Sequence, residues 1–217
     1  MLSNLFMHAK RFTLAFLHSA ASATNSASYA FTNVPLGVVS AYRCIVVGVA
    51  AYDAEYNRVD TSVTVGSVAL TFLNREVVNG TTRCALYYGY VPAGTSATVT
   101  VAFSGIMDTC GIGVWSLIGK PVQGVEGIVG LNNPYPDNKF AVCNKGDVVI
   151  CVIRRLPSGD VTFDAKLTEN YDAVTESNVS GHAGGSTVVT ATTAPFVVDN
   201  YISSEEANTR MCVARFY

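Results

Sequence analysis

The most distinctive chemical groups of this chain are the thiols of six cysteines, Cys44, Cys84, Cys110, Cys143, Cys151 and Cys212. No two of them have the C-x-x-C spacing of structural zinc sites, so the sequence predicts no metal site. Most lie within apolar runs, where a thiol packs as a small hydrophobic group. Cys110 and Cys143 lie near the predicted ends of elements, where we expect their thiols to be more accessible, which favours a disulfide at these two, within or between chains. The alternative is that all six are buried free thiols.

The histidines of the chain are His8, His18 and His182. Their spacing suits neither a metal site nor a catalytic triad. His182 lies in the glycine-rich stretch Ser180–Gly185, which predicts a flexible loop, and a loop histidine needs an orienting partner for catalysis. The G-x-S-x-G motif of a nucleophile elbow is also absent from the sequence. We therefore expect a protein that is not an enzyme and that needs no cofactor.

The most oxygen-rich segment of the chain contains Asp53, Glu55, Asn57 and Asp60. Its alternation is that of calcium-binding loops, in which side chains at alternate positions coordinate the ion. The EF-hand pattern nevertheless fails, because Arg58 stands where glycine is required and Thr64 stands where the bidentate glutamate is required. The segment is therefore predicted to be a solvated connection between two strands.

Residues 121–139 are the least regular part of the sequence. Gly124, Gly127 and Gly130 recur every three residues there. A phosphate-binding loop needs a helix directly after its glycines, and Pro134 and Pro136 forbid one. The three glycines are predicted to lie in turns of a long surface connection.

Tyrosine is frequent, and the residues of interest are Tyr42, Tyr52, Tyr56, Tyr87, Tyr88 and Tyr90. Aromatic platforms bind sugars by stacking on their apolar faces, but aromatic rings also bury large areas in cores and at subunit interfaces. Core or interface packing is the favoured interpretation, and a glycan-binding surface is the alternative.

Charge is scarce in this chain of 217 residues. Charged residues make up 14%, hydrophobic residues 49%, and the mean hydropathy is +0.31. Typical soluble domains contain about 25% charged residues, so we expect partners to cover part of the surface. The net charge of −2 offers no basic face for nucleic acid. No apolar run reaches the roughly 18 to 20 residues of a membrane span, so no membrane partner is expected.

The N-terminal segment has two interpretations. Lys10 and Arg11 precede the apolar residues 12–17, and small residues follow, which is the outline of a signal peptide. The alternation of Phe12, Leu14 and Phe16 with smaller residues favours a strand instead. Residues 1–23 are therefore predicted to be a retained N-terminal arm or first strand, and residues 24–217 a β-sandwich domain.

Strand patterns dominate the rest of the chain. Cys44–Ala50 is a continuous apolar run, as expected of a central strand that is covered on both faces. Asn79 and Gly80 separate two β-rich runs, which is a strong hairpin signal. About eleven short strands with turns between them predict an all-β fold, a single β-sandwich or jelly-roll-like domain.

Several of these strand-and-turn motifs resemble a known group of proteins. They are Tyr29–Gly37, Cys44–Val49, Val63–Thr71, Ala85–Tyr88, Val91–Thr95, Thr98–Gly105, Cys110–Trp115 and Leu167–Asp172. Together they resemble uncharacterised β-sandwich structural proteins of bacteriophage virions, encoded in phage and prophage gene clusters of the alphaproteobacterial type. The resemblance implies a subunit for head decoration, for the neck or collar, or for tail attachment. Its partners would be other virion proteins and copies of itself, in a virion assembled in the host cytoplasm. The alternative function is a glycan-binding adhesin module of a phage or bacterial surface, with a host glycan as its ligand.

Overall fold

The computed structural model describes residues 12–54, 58–78, 82–130, 138–156, 160–163, 165–176, 180–198, 200–202 and 209–217, and no helix occurs within these ranges. The described residues contain eighteen β-strands. They are β1 (Thr13–Ser22), β2 (Ser26–Pro35), β3 (Cys44–Tyr52), β4 (Asp60–Val65), β5 (Val68–Ala69), β6 (Thr71–Val78), β7 (Thr82–Tyr90), β8 (Ser96–Met107), β9 (Thr109–Ile118), β10 (Val125–Val129), β11 (Asn138–Phe140), β12 (Val148–Arg155), β13 (Val161–Phe163), β14 (Thr168–Glu176), β15 (Ser180–Val188), β16 (Phe196–Val198), β17 (Asn200–Ile202) and β18 (Arg210–Phe216).

The predicted all-β fold is confirmed, and it consists of antiparallel sheets packed on one another. The central sheet has the strand order β1-β9-β3-β7-β6, and the C-terminal sheet has the order β10-β18-β12-β15-β14. The N-terminal sheet has the order β2-β8-β4-β5, and two short pairs, β11-β16 and β13-β17, complete the described strands. The strand count exceeds the expected eleven largely because strands of two or three residues carry too little pattern to recognise. A jelly-roll topology stays a prediction.

Three hydrophobic cores separate the layers. The first lies between the central and N-terminal sheets, around Val47 and Val101. The second lies between the central and C-terminal sheets, around Trp115 and Val152. The third lies on the far face of the C-terminal sheet, under the two short strand pairs. The central sheet is thus covered on both faces, which explains why β3 is apolar along its length.

The strand interpretation of the N-terminal segment is confirmed for its described part. β1 pairs with β9 at the edge of the central sheet. Phe12, Leu14 and Phe16 pack on the second core, whereas Leu17 and Ala20 pack on the first. A register shift between Phe16 and His18 accompanies this change of face. Residues 1–11 lie outside the described residues, and the domain boundary at residue 24 stays a prediction.

The predicted flexible loop at Ser180–Gly185 is wrong, because these residues form the first part of β15, which lies between β12 and β14. The glycines make room for large rings of neighbouring strands. A Cβ atom on Gly184 would lie 2.9 Å from Trp115, and one on Gly113 in β9 would lie 2.5 Å from Tyr171. Glycine inside a strand here marks a close approach of the central and C-terminal sheets.

The interpretation of residues 121–139 as a long irregular connection is wrong in part. β10 lies within it and pairs with β18 at the edge of the C-terminal sheet. Gly127 belongs to that strand rather than to a turn, and it packs against Asn74 of β6. The Asn74 side-chain amide donates hydrogen bonds to the carbonyls of Ile128 (2.8 Å) and Val213 (3.1 Å). These bonds join the edge of the central sheet to the C-terminal sheet.

The hairpin predicted around Asn79 and Gly80 is confirmed by its strand pairing. β6 and β7 are antiparallel neighbours, with Val78 opposite Thr82. Asn79 and Gly80 themselves lie outside the described residues.

Candidate functional site

The two ends of the central sheet differ in chemistry. At one end, the connection from β2 to β3 (residues 36–43) lies beside the connection from β7 to β8 (residues 91–95), and we call these two segments the loop end. Each contains a glycine in the left-handed region, Gly37 with φ of 70° and Gly94 with φ of 75°. Glycine adopts this conformation at little steric cost because it has no Cβ atom. The opposite end of the sheet, around Tyr52 and Thr109, we call the charged end.

Arg43 holds the two segments of the loop end together. Its side chain is fully buried, and its guanidinium donates hydrogen bonds to four backbone carbonyls. The guanidinium donates to Val91 (2.7 Å), Gly37 (3.2 Å), Ala93 (2.5 Å) and Gly94 (2.9 Å). Burial lowers the pKa of Arg43 from its ordinary value. One side chain therefore fixes carbonyls from both segments, which makes the loop end a preorganised surface.

The loop end presents apolar side chains to solvent. Val38 is 70% exposed, Val39 is 54% exposed and Tyr42 is 46% exposed. Tyr90 is also exposed, and its hydroxyl accepts a hydrogen bond of 2.8 Å from the backbone amide of Val122. The same two segments contribute Leu36 and residues 91–94 to the lining of a shallow depression of about 420 Å³. Ordered apolar side chains of this kind are typical of protein contact surfaces.

The tyrosines divide into surface and packing residues. Tyr42 and Tyr90 are exposed, whereas Tyr87 is buried in the first core. Tyr52 and Tyr88 are half-buried, and Tyr56 lies outside the described residues. Only two of the described candidates can therefore offer an open ring face to a sugar.

At the charged end, the prediction of a solvated acidic loop is wrong for its two described carboxylates, because Asp53 and Asp60 are buried. Asp60 accepts hydrogen bonds from Arg75 Nε (2.6 Å) and Nη2 (2.8 Å), and it is in contact with the Tyr87 hydroxyl. Asp53 lies 3.6 Å from Arg58. Glu55 and Asn57 lie outside the described residues.

This network changes the acidity of its members. Burial and then the neighbouring charge of Asp60 raise the pKa of Tyr87 above its ordinary value. Burial alone would lower the pKa of Arg75, but hydrogen bonds to Asp60 and its charge outweigh burial and raise it. Asp60 therefore acts as the anionic centre of a buried ion pair between the central and N-terminal sheets.

His182 lies at the same end, between the central and C-terminal sheets. It is fully buried opposite Arg154 of β12, and its Nδ1 is 3.0 Å from the Thr175 hydroxyl. Its ring packs on Tyr171, with 5.1 Å between the ring centres. Burial, together with the charges of Arg154 and Arg155, lowers the pKa of His182 to about 4. The imidazole is therefore a neutral packing group at neutral pH.

Other polar groups complete the charged end. Arg210 lies beside Arg154 on β18 and is 3.6 Å from Glu76 of β6. Within the described ranges, no group of three or more His, Cys, Asp and Glu side chains is placed to hold a metal ion. The described ranges likewise contain no helix with the length and apolar character of a membrane span.

All six cysteines are free and buried. The expectation that element ends leave Cys110 and Cys143 accessible is wrong, because neither has any exposed surface. They also lie in different layers, Cys110 in the first core and Cys143 in the third. The close pair is Cys84 of β7 and Cys212 of β18, whose sulfur atoms are 3.0 Å apart. Sequence reasoning missed this pair because 128 positions separate the two residues and both lie in apolar strands.

Comparisons with known proteins do not assign this site to a family. Neither a protein-family model nor a curated protein matches the chain.

Proposed function

We propose that this chain is a structural subunit of a bacteriophage particle and that it acts through protein–protein contacts at its loop end. The observation that carries the proposal is the ordered apolar surface of Val38, Val39 and Tyr42 beside the fully buried Arg43. Binding loses less conformational entropy when the contacting loops are already fixed. Apolar and aromatic anchors of this kind contribute most of the affinity in protein interfaces.

Layered packing also suits a mechanical role. Two of the three larger sheets are covered on both faces, and side-chain hydrogen bonds tie neighbouring sheet edges together. Close-packed interiors have low compressibility and transmit strain. A subunit of this construction can hold its contact loops in fixed positions while its neighbours exert force on it.

The test is the presence of the chain in purified particles, measured by quantitative mass spectrometry. We expect many copies per particle for the unaltered chain. A Val38→Asp, Val39→Asp double variant should be incorporated about tenfold less, because two charges would be buried at the contact. The matched control is Ile106→Asp, since Ile106 is 57% exposed and lies near the end of β8 that is remote from the loop end.

Absence of the unaltered chain from particles would refute the proposal of a virion subunit. Normal incorporation of the double variant would refute the loop end as the contact surface. Light scattering of the purified chain adds a second measurement, because self-association through the loop end should weaken in the double variant and persist in Ile106→Asp.

A second candidate function is a glycan-binding module, which the exposed rings of Tyr42 and Tyr90 favour. Glycan arrays probed with the isolated chain test it. Binding that is lost in Tyr42→Ala, together with absence from particles, would favour this function over the first. No binding to any glycan on the array would argue against it.

A further inference from the structure

We propose that Cys84 and Cys212 form an intrachain disulfide that ties the central sheet to the C-terminal sheet under oxidising conditions. The proposal concerns the chain itself and does not rest on the proposed function. The two sulfur atoms are 3.0 Å apart, which is about 1 Å more than the length of a disulfide bond. The Cys212 thiol also lies 3.1 Å from the carbonyl oxygen of Cys84.

The strand positions direct both thiols into the same interface. Cys84 is in β7, next to β3 in the central sheet, and Cys212 is in β18, next to β12 in the C-terminal sheet. Both belong to the second core, and neither has exposed surface. The two backbones are thus already held by the surrounding apolar packing, so a bond needs only a small approach of the two sulfurs.

The oxidant is a low-molecular-weight disulfide such as oxidised glutathione. One cysteine loses its proton and attacks a sulfur of oxidised glutathione, forming a mixed disulfide and releasing one glutathione thiolate, which takes up a proton. The second cysteine then loses its proton and attacks the protein sulfur of the mixed disulfide, which releases the second glutathione. The protein gives up two hydrogen atoms in total, and the two glutathione molecules gain them.

Burial controls when this exchange takes place. Desolvation raises the pKa of the Cys212 thiol well above its ordinary value, and the thiolate is the attacking species. The folded interface therefore resists the exchange, and the bond forms while the two sheets come together during folding or when they separate locally. Cys151 of β12 is a neighbouring thiol, because burial and then the charge of Cys84 raise its pKa, but among the described residues the sulfur-to-sulfur hydrogen bond is that of Cys84 and Cys212.

The experiment refolds the full chain in a mixture of reduced and oxidised glutathione and, in parallel, in excess reductant. Free thiols are then alkylated in denaturant, and the digested peptides are identified by mass spectrometry. We expect one linked peptide that joins Cys84 to Cys212 and four alkylated cysteines. The oxidised chain should also unfold at a temperature higher by about 10 °C, because the bond constrains a long loop of the unfolded state.

Single variants separate this pair from every other pairing. Cys84→Ala and Cys212→Ala should each abolish the linked peptide and the thermal shift between oxidised and reduced samples. Cys110→Ala and Cys143→Ala are the matched controls and should keep both. Alkylation of all six cysteines in the unaltered chain after refolding with oxidised glutathione would overturn the proposal, and so would a linked peptide from any other pair. The unaltered chain alone gives this answer if a variant does not fold.

Discussion

His182 makes a specific contribution to the acid sensitivity of this fold. The structure holds the imidazole neutral, with a pKa of about 4, because it is buried and faces Arg154 and Arg155. In the unfolded chain the pKa returns to about 6.5. Between these two values the unfolded state binds one more proton than the folded state, so stability falls as the pH decreases from about 6.5 towards 4. The full difference between the two pKa values corresponds to roughly 3 kcal/mol of folding stability, of which about 2.5 kcal/mol is lost by pH 4.5.

The perturbation is His182→Asn, which keeps a polar group near the Thr175 hydroxyl but does not titrate. The free energy of unfolding is measured in urea at pH 7 and at pH 4.5 for both chains. Trp115, the single tryptophan of the sequence, is fully buried beside this interface and reports unfolding by fluorescence. The variant is expected to be less stable at pH 7, because a smaller side chain leaves part of the site unfilled. Its loss between pH 7 and pH 4.5 should nevertheless be smaller than that of the unaltered chain by about 2.5 kcal/mol.

Comparing the loss of stability between pH 7 and pH 4.5 in the two chains cancels the contribution of the carboxylates, because that contribution is common to both. His18→Asn is the control for replacing an imidazole by an amide, because His18 lies only half-buried in the edge strand β1. Equal losses in His182→Asn and the unaltered chain, within about 0.5 kcal/mol, would refute the reasoning. Such a result would mean that the imidazole of the folded chain is already protonated at pH 4.5.

Three further predictions concern stability measured by urea unfolding at neutral pH. Asp60→Asn should cost about 3 kcal/mol, because it removes the buried negative charge that faces Arg75, whereas Glu126→Gln, at a pair whose carboxylate is 48% exposed, should cost less than about 1 kcal/mol; equal costs would contradict the importance of burial. Arg43→Met should cost about 2 to 4 kcal/mol by leaving loop-end carbonyls unpaired, and hydrogen exchange should quicken at residues 91–95 but not in β12; unchanged exchange would exclude Arg43 as the organiser of the loops. Gly184→Ala should cost about 2 kcal/mol or more, since its Cβ would meet two packed rings. At Gly105 the nearest neighbour of an added Cβ is the Arg58 side chain, and Gly105→Ala should change stability by less than about 1 kcal/mol, because a flexible side chain shifts more easily than a packed ring; the reverse order would show that the rings can shift.

Local sequence patterns were sufficient to predict the strands that carry alternating or continuous apolar residues. β3, β8 and β12 are examples, because their side chains face layers of apolar neighbours and the sequence records this directly. β1 was also recognisable from the alternation of Phe12, Leu14 and Phe16. The layer order could not be obtained this way, since which sheet covers which face depends on pairings between strands far apart in sequence.

The buried polar groups were missed for a different reason. Asp60 resembles a loop carboxylate in the sequence, and only its partners Arg75 and Tyr87, on two other strands, make its burial favourable. Arg43 follows a turn, as many exposed arginines do, and its role depends on carbonyls about fifty positions away. Burial of a charge depends on its partners, and no local pattern contains them.

One structural feature explains why the first part of β15, Ser180–Gly185, has the sequence pattern of a loop. Gly111 and Gly113 of the central sheet and Gly184 of the C-terminal sheet leave space that the rings of His182, Tyr171 and Trp115 fill. Glycine has a low preference for strands, so a single sequence favours a loop wherever such residues cluster. In the folded chain, absence of a Cβ atom is what allows rings from one sheet to pack directly on the backbone of the other. The same close packing of the two sheets places Cys84 against Cys212, so the residues that hide the strand in the sequence also belong to the interface that brings the two thiols together.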